Sequence, residues 1–212
     1  MTVIFPSAPE SRAGALPLIG GALALDFANT ESGRGFATHR DHLREARHLA
    51  DWLQHADALA PEEAEWLRAE AAARADFAAT LLTRAKTLRD DIGEIFRAVA
   101  LGAAAPAKST SELTAFHACA LAHGALTPSH GRYRWRWTLR DSPIEAALGP
   151  IALSAVTLLS QGDLSRVKQC AGVACGWMFY DETKNKRRRW CEMEVCGNRA
   201  KQRRYAARGR PA

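Results

Sequence analysis

Four of the five cysteines, Cys170, Cys175, Cys191 and Cys196, fall within 27 residues in the pattern C-x4-C-x15-C-x4-C. Nothing else in the chain restricts its fold as tightly. Each pair suits a tight turn that aims two sulfurs at one point, and the medium loop between the pairs brings the two turns together. No histidine follows His130, so no imidazole can join locally. Zinc accepts four soft thiolates and has no redox chemistry of its own. Four cysteine ligands also leave no open coordination position. The spacing therefore predicts one Zn2+ per chain in a structural role. Cys119 sits in a helical apolar pattern and reads as a buried core thiol.

The residues around the pairs predict a small module. "GWMFYD" after Cys175 reads as a strand with Trp177 and Phe179 on one face, and "KNKRRRWC" as a loop leading into a second strand that ends at Trp190. "GNRAKQRRYAAR" reads as a helix with Asn198 as its N-cap. A knuckle, a hairpin and a helix whose entry holds the last cysteine make a treble-clef-like finger. Its aromatic core is too small to stand alone, so metal supplies much of the folding energy.

This module is also where the charge lies. From Arg166 onward there are 13 Lys/Arg against 4 Asp/Glu, a net of +9, whereas the first 165 residues carry a net of −3. Such a split points to a polyanionic partner. Lys184, Lys186, Arg187, Arg188 and Arg189 fall on the loop between the pairs, and Arg199, Lys201, Arg203, Arg204 and Arg208 on the helix after them. Lys201, Arg204 and Arg208 share one helix face, with Arg199 beside Arg203. That helix has no apolar stripe and suits phosphate contacts better than packing. Double-stranded DNA is the expected partner, with RNA as the alternative.

The chain before the module reads as mostly helical. Leu43, Ala46, Ala50 and Leu53 have helical spacing. Pro61 opens a second helix, with Glu62 and Glu63 in its first turn. Leu81, Ala85, Leu88, Ile92, Ile95 and Val99 form one stripe on a third helix, which Gly102 ends. Ser109 with Glu112, and Ser142 with Glu145, predict capping boxes for two more helices, the last of which Pro150 should kink or split. Tyr133, Trp135 and Trp137 alternate with Arg134 and Arg136, the period of a half-buried strand with a solvated arginine face. Gly124 to Gly131 would hold its hairpin partner. Asp26 and Asn29 stand among apolar residues, where they would either cap a turn or anchor a small molecule. His39, His42, His48 and His55 share no close face and read as surface residues.

The fold class is thus mainly α (α+β). A helical N-terminal domain with a small β-hairpin, residues 1–163, precedes the finger at 164–212. No apolar run reaches the ~18–20 residues of a membrane span; "PIALSAVTLLS", Pro150–Ser160, reads as a buried helix. The start lacks the features of a signal peptide. A cytoplasmic protein with reduced thiols is the expectation. No nucleophile–base order, phosphate-cradling glycine loop or histidine cluster suggests an enzyme.

"CGNRAK", preceded by "RRRWCEMEVC" and "CAGVACGWMFYD", resembles the CGNR zinc finger that closes a bacterial family named for stress-induced transcription regulation. "LALDFANT", "RAKTLRDDIGEIF" and "PIALSAVTLLS" are similar, in order, to that family's ABATE domain. The resemblance covers nearly the whole chain, and all four of the family's cysteines are matched. It implies a DNA-binding zinc finger behind a helical domain; in a transcription regulator that body would dimerise or sense a ligand. Asp26, Asn29 and Arg89 lie in the matching segments and are the candidate pocket residues for an effector.

Overall fold

The computed structural model describes residues 11–34 and 36–208. Helix α4 (Ala75–Ala100) is the axis of the body. Leu81, Ala85, Leu88, Ile92 and Ile95 recur at helical spacing and are buried along its length. Helices α1 (Leu23–Ala28), α2 (Ala46–His55), α3 (Pro61–Ala73), α5 (Ala107–Ala122) and α6 (Pro143–Gln161) pack against it. The resulting core is filled by Phe27, Trp52, Phe96 and aliphatic residues. Each large apolar side chain buried there contributes about 1.5–3 kcal/mol. The architecture is mainly α, with three two-stranded antiparallel ladders among the described residues.

The first ladder joins β1 (Glu31–Ser32) to β2 (Arg40–Asp41). The second is the hairpin β3 (Gly124–Ser129) and β4 (Arg132–Trp137). As the alternation predicts, Arg134 and Arg136 are exposed while Trp135 and Trp137 are half-buried; Tyr133, expected on the same face as the tryptophans, is instead 69% exposed near the hairpin turn. The Trp137 indole donates to the Ala120 carbonyl at 2.6 Å, which anchors the hairpin to α5. The third ladder pairs β5 (Val167–Gln169) with β6 (Met178–Tyr180).

Several local expectations are corrected by tertiary contacts. Helix α5 starts at Ala107, so Ser109 lies inside it, and the Ser109 hydroxyl donates to Glu94 on α4 at 2.7 Å instead of forming a capping box. Ser142 does sit at the N-cap of α6, but its hydroxyl meets His123 Nδ1 at 3.0 Å rather than a helix amide. Helix α6 runs through Pro150 unbroken for 19 residues. The residue before a proline resists helical geometry partly through its Cβ, and here that residue is Gly149. Helix α6 is also longer than the apolar run suggested: by length and a mean hydropathy of 1.5 it could cross a membrane. Its buried face, however, packs on α1, α4 and α5.

Cys119 is exposed, because the stripe of α5 turns Leu113 and Ala120 inward instead. Two of the four histidines taken as surface residues are buried. His42 Nδ1 accepts from the Arg12 amide at 3.3 Å, and His48 Nδ1 accepts from the Glu45 amide at 3.2 Å. Burial holds both below the ordinary histidine pKa. His55 donates to the Leu16 carbonyl at 2.7 Å; His39 is exposed and pairs with Glu31.

Candidate metal centre and nucleic-acid interface

The first cysteine pair sits on the turn between β5 and β6; of the second, Cys191 precedes a short π-helical turn, Met193–Gly197, and Cys196 lies within it. The turn from Cys170 to Cys175 is tight enough that a Cβ at Gly172 would stand 3.1 Å from Cys196 Sγ and 3.3 Å from Cys170 Sγ. Glycine is the side chain that lets all four sulfurs close. They lie within 4.8 Å of one another. Cys191 Sγ is 3.7 Å from both Cys175 Sγ and Cys196 Sγ. A regular tetrahedron with Zn–S bonds of about 2.3 Å has edges of about 3.8 Å. The set therefore has the dimensions of a four-thiolate zinc site. Its electrostatics agree. Hydrogen bonding from its neighbours pushes the Cys170 thiol down, while Cys175, Cys191 and Cys196 are pushed up. Four sulfurs this close cannot all ionise without a cation among them.

Phe179, Trp177 and Trp190 pack against these sulfurs, joined by Ile19 from the body. The β6 partner strand is β5, before the first pair. The strand expected to end at Trp190 does not form, and the segment from Arg187 runs back along the knuckle with the Ala171 amide donating to the Arg189 carbonyl at 2.9 Å. Asn198 is already helical, and its amide donates back to the Glu194 carbonyl at 2.9 Å rather than capping α7 (Asn198–Arg208).

The ten candidate nucleic-acid residues divide into two groups. Arg188 is consumed inside the protein. Its guanidinium donates to the carbonyls of Ile19 at 3.2 Å, Trp190 at 3.1 Å and Cys191, and lies 4.2 Å from the centre of the Phe179 ring. Lys186 pairs with Asp163 at 2.7 Å. Lys184, Arg187, Arg189, Arg199, Lys201, Arg203 and Arg204 are exposed and in no ion pair among the described residues. The Arg208 side chain lies outside the described residues. Tyr205 on α7 is 80% exposed, so the helix packs on little of the protein.

The three candidate pocket residues are also separated. Asp26 Oδ1 accepts from the Gly20 amide at 2.7 Å. Asn29 bonds both backbone groups of Met178. Asn29 therefore ties the seam between body and finger, whereas Asp26 holds the Gly20 turn within the body; neither side chain lines the cavity beside Arg89. Arg89 does line that cavity, of about 580 Å³, between α4 and the knuckle. It is bonded to Asp41 at 2.6 and 3.2 Å. Burial opposes ionisation of Asp41, but Arg89 and Lys86 outweigh it and hold the carboxyl at about 2. Sequence reading missed Arg97 in the same lining. Arg89, Gly93 and Arg97 stand four residues apart on one helix, a spacing that places them on one face.

The seam is continuous. The Tyr180 amide donates to the Gly20 carbonyl at 2.7 Å, and the Gly33 amide to the Cys175 carbonyl at 3.0 Å. Val167 and Met178 of the finger are buried in the main core.

Comparison with protein families gives two matches. The model described as "CGNR zinc finger" matches residues 166–209, and the one described as ABATE, "Putative stress-induced transcription regulator", matches residues 21–162. A comparison with curated proteins found no match. A CGNR zinc finger together with a converging four-cysteine cluster accounts for one structural zinc ion.

Proposed function

We propose, for a chain that belongs to the ABATE family and carries a CGNR zinc finger, that it is a DNA-binding transcription regulator. In this reading Cys170, Cys175, Cys191 and Cys196 ligate the zinc, and the body at residues 1–163 serves dimerisation or ligand sensing for a finger at 164–212. Zinc supplies folding energy to a module with little core of its own; it performs no chemistry on a substrate. The role is regulatory rather than catalytic.

The observation that carries the reading is the set of seven exposed Lys and Arg side chains on one zinc-clamped module, in no ion pair among the described residues. The loop and α7 both spring from the cysteine turns, so their charges keep fixed relative positions. Such preorganisation lowers the ordering entropy lost on docking. Cations not held in ion pairs are free to replace the counterions of a phosphate backbone.

The test is a competition at fixed salt between duplex DNA, structured RNA and single-stranded RNA, followed by selection of bound sequences from a random duplex pool. Preference for duplex is the expected result. Undetectable duplex binding at low salt, with zinc in place, overturns the reading. Stronger competition by RNA transfers the finger to an RNA partner.

A further inference from the structure

The cavity between α4 and the knuckle has a chemical character of its own. At about 580 Å³ it falls within the ~300–1,000 Å³ typical of small-ligand sites. Arg34, Arg89 and Arg97 face it from the body, and Val173 closes it from the finger. The nearby carboxylates are already engaged. Asp41 is paired with Arg89 and Lys86, Glu31 with Arg34 and His39, and Asp90 with Arg34. Arg97 is in no ion pair among the described residues. Arg89 is 4% exposed; its buried Nε has no hydrogen-bond partner, and Asp90 Oδ1 stands 3.7 Å from it, within ion-pair but beyond hydrogen-bond distance. A buried donor without a hydrogen bond is destabilising, and an acceptor in the cavity would relieve that cost. Two large apolar side chains in the lining, Phe36 and Val173, are 53% and 66% exposed.

We propose that this cleft binds a small organic monoanion, a carboxylate carried on an apolar body. Arg97 and the Nε edge of Arg89 hold the carboxylate. Ala28, Phe36 and Val173 cover the apolar part. A guanidinium binds a carboxylate through two parallel N–H donors, which sets the ligand's orientation as well as its charge. The occupant touches the body on one side and the cysteine knuckle on the other, beside the Gly33–Cys175 bond. It therefore ties the seat of the finger to α4. This assigns a ligand class to the sensing half of the proposed function and rests on that reading for its biological meaning; the binding itself needs no DNA.

The test is calorimetric titration of the zinc-loaded full chain with benzoate, and with benzamide as its neutral analogue. We expect saturable benzoate binding at one per chain, with benzamide weaker by about tenfold or more, the scale of one charge-assisted bond pair. Arg97→Ala removes a half-buried, unpaired side chain, so the fold, read by zinc content and ligand-free melting temperature, stays intact. Benzoate affinity should fall by about tenfold, with partial recovery in Arg97→Lys. Val173→Glu, on the finger, should weaken benzoate to a similar degree by placing a competing carboxylate in the cleft. Absence of saturable benzoate binding overturns the proposal. So does equal affinity for benzamide, or benzoate binding unchanged by either Arg97→Ala or Val173→Glu. Because no DNA is present, failure here leaves the nucleic-acid reading standing.

Discussion

Asn29 closes a two-bond bridge to Met178. Its side-chain amide donates to the Met178 carbonyl at 2.9 Å, and its Oδ1 accepts from the Met178 amide at 2.8 Å, both in buried surroundings. One side chain thereby satisfies both backbone groups of a residue in the finger, from a helix in the body. Asn29→Ala leaves a buried donor and a buried acceptor unpaired. The expected loss is about 2–4 kcal/mol in chemical denaturation. A loss below about 0.5 kcal/mol would mean that water or relaxation replaces the bridge.

Zinc removal should be felt beyond the finger. From sequence, Cys191→Ser is expected to unfold the finger and leave the body untouched. The structure places Val167 and Met178 in the body's core, so losing the finger uncovers that core. Chelation or Cys191→Ser should keep most helical circular dichroism but lower the body's stability by about 3–6 kcal/mol for two buried apolar side chains, read as a lower unfolding midpoint. An unchanged midpoint for the helical signal would show that the body closes its core without the finger.

The two groups of cations should respond differently to mutation. If about five of the exposed ones neutralise phosphates, log affinity should fall with log salt with a slope near −4 to −5. Replacing Arg203 and Arg204 with Ala should reduce that slope by about one to two units at unchanged stability. Arg188→Ala should behave in the opposite way. Its guanidinium serves three carbonyls and the Phe179 ring, so stability should drop while the slope of the remaining folded protein holds. Equal slope changes for both variants would contradict the division.

Asp26 predicts a pH effect. Burial raises its pKa to about 6, against the opposing Gly20 and Ile19 backbone bonds and the Arg188 charge. A carboxyl whose pKa is higher folded than unfolded makes folding more favourable as pH falls through about 6, and the gain is complete near 4. Asp26→Asn keeps an acceptor for the Gly20 amide and removes the buried charge. It should stabilise the protein at pH 7.5 more than at pH 5 in urea titrations. Equal effects at both pH values would place the Asp26 titration below this window.

The sequence by itself determined what depends on neighbours along the chain. The x4 spacings bring each cysteine pair onto one turn, and the stripe from Leu81 to Ile95 selects the buried face of α4. The aromatic alternation at Tyr133–Trp137 specifies a strand, and the basic surplus after Arg166 marks the charged module. Each is a local geometric consequence of a period or a short loop. Only the tertiary structure decided which polar side chains were spent holding the molecule together. Asn29 reaches a partner 149 residues away and Arg188 one 169 residues away. In sequence, one resembles a turn cap or a pocket anchor and the other a phosphate contact. Ser109 and Ser142 likewise give up expected caps for partners on other elements. A short polar side chain has several partners of similar energy within its own turn, each worth about 1 kcal/mol. The choice among them belongs to the packing that buries it, and to the cost of leaving a buried backbone group unpaired.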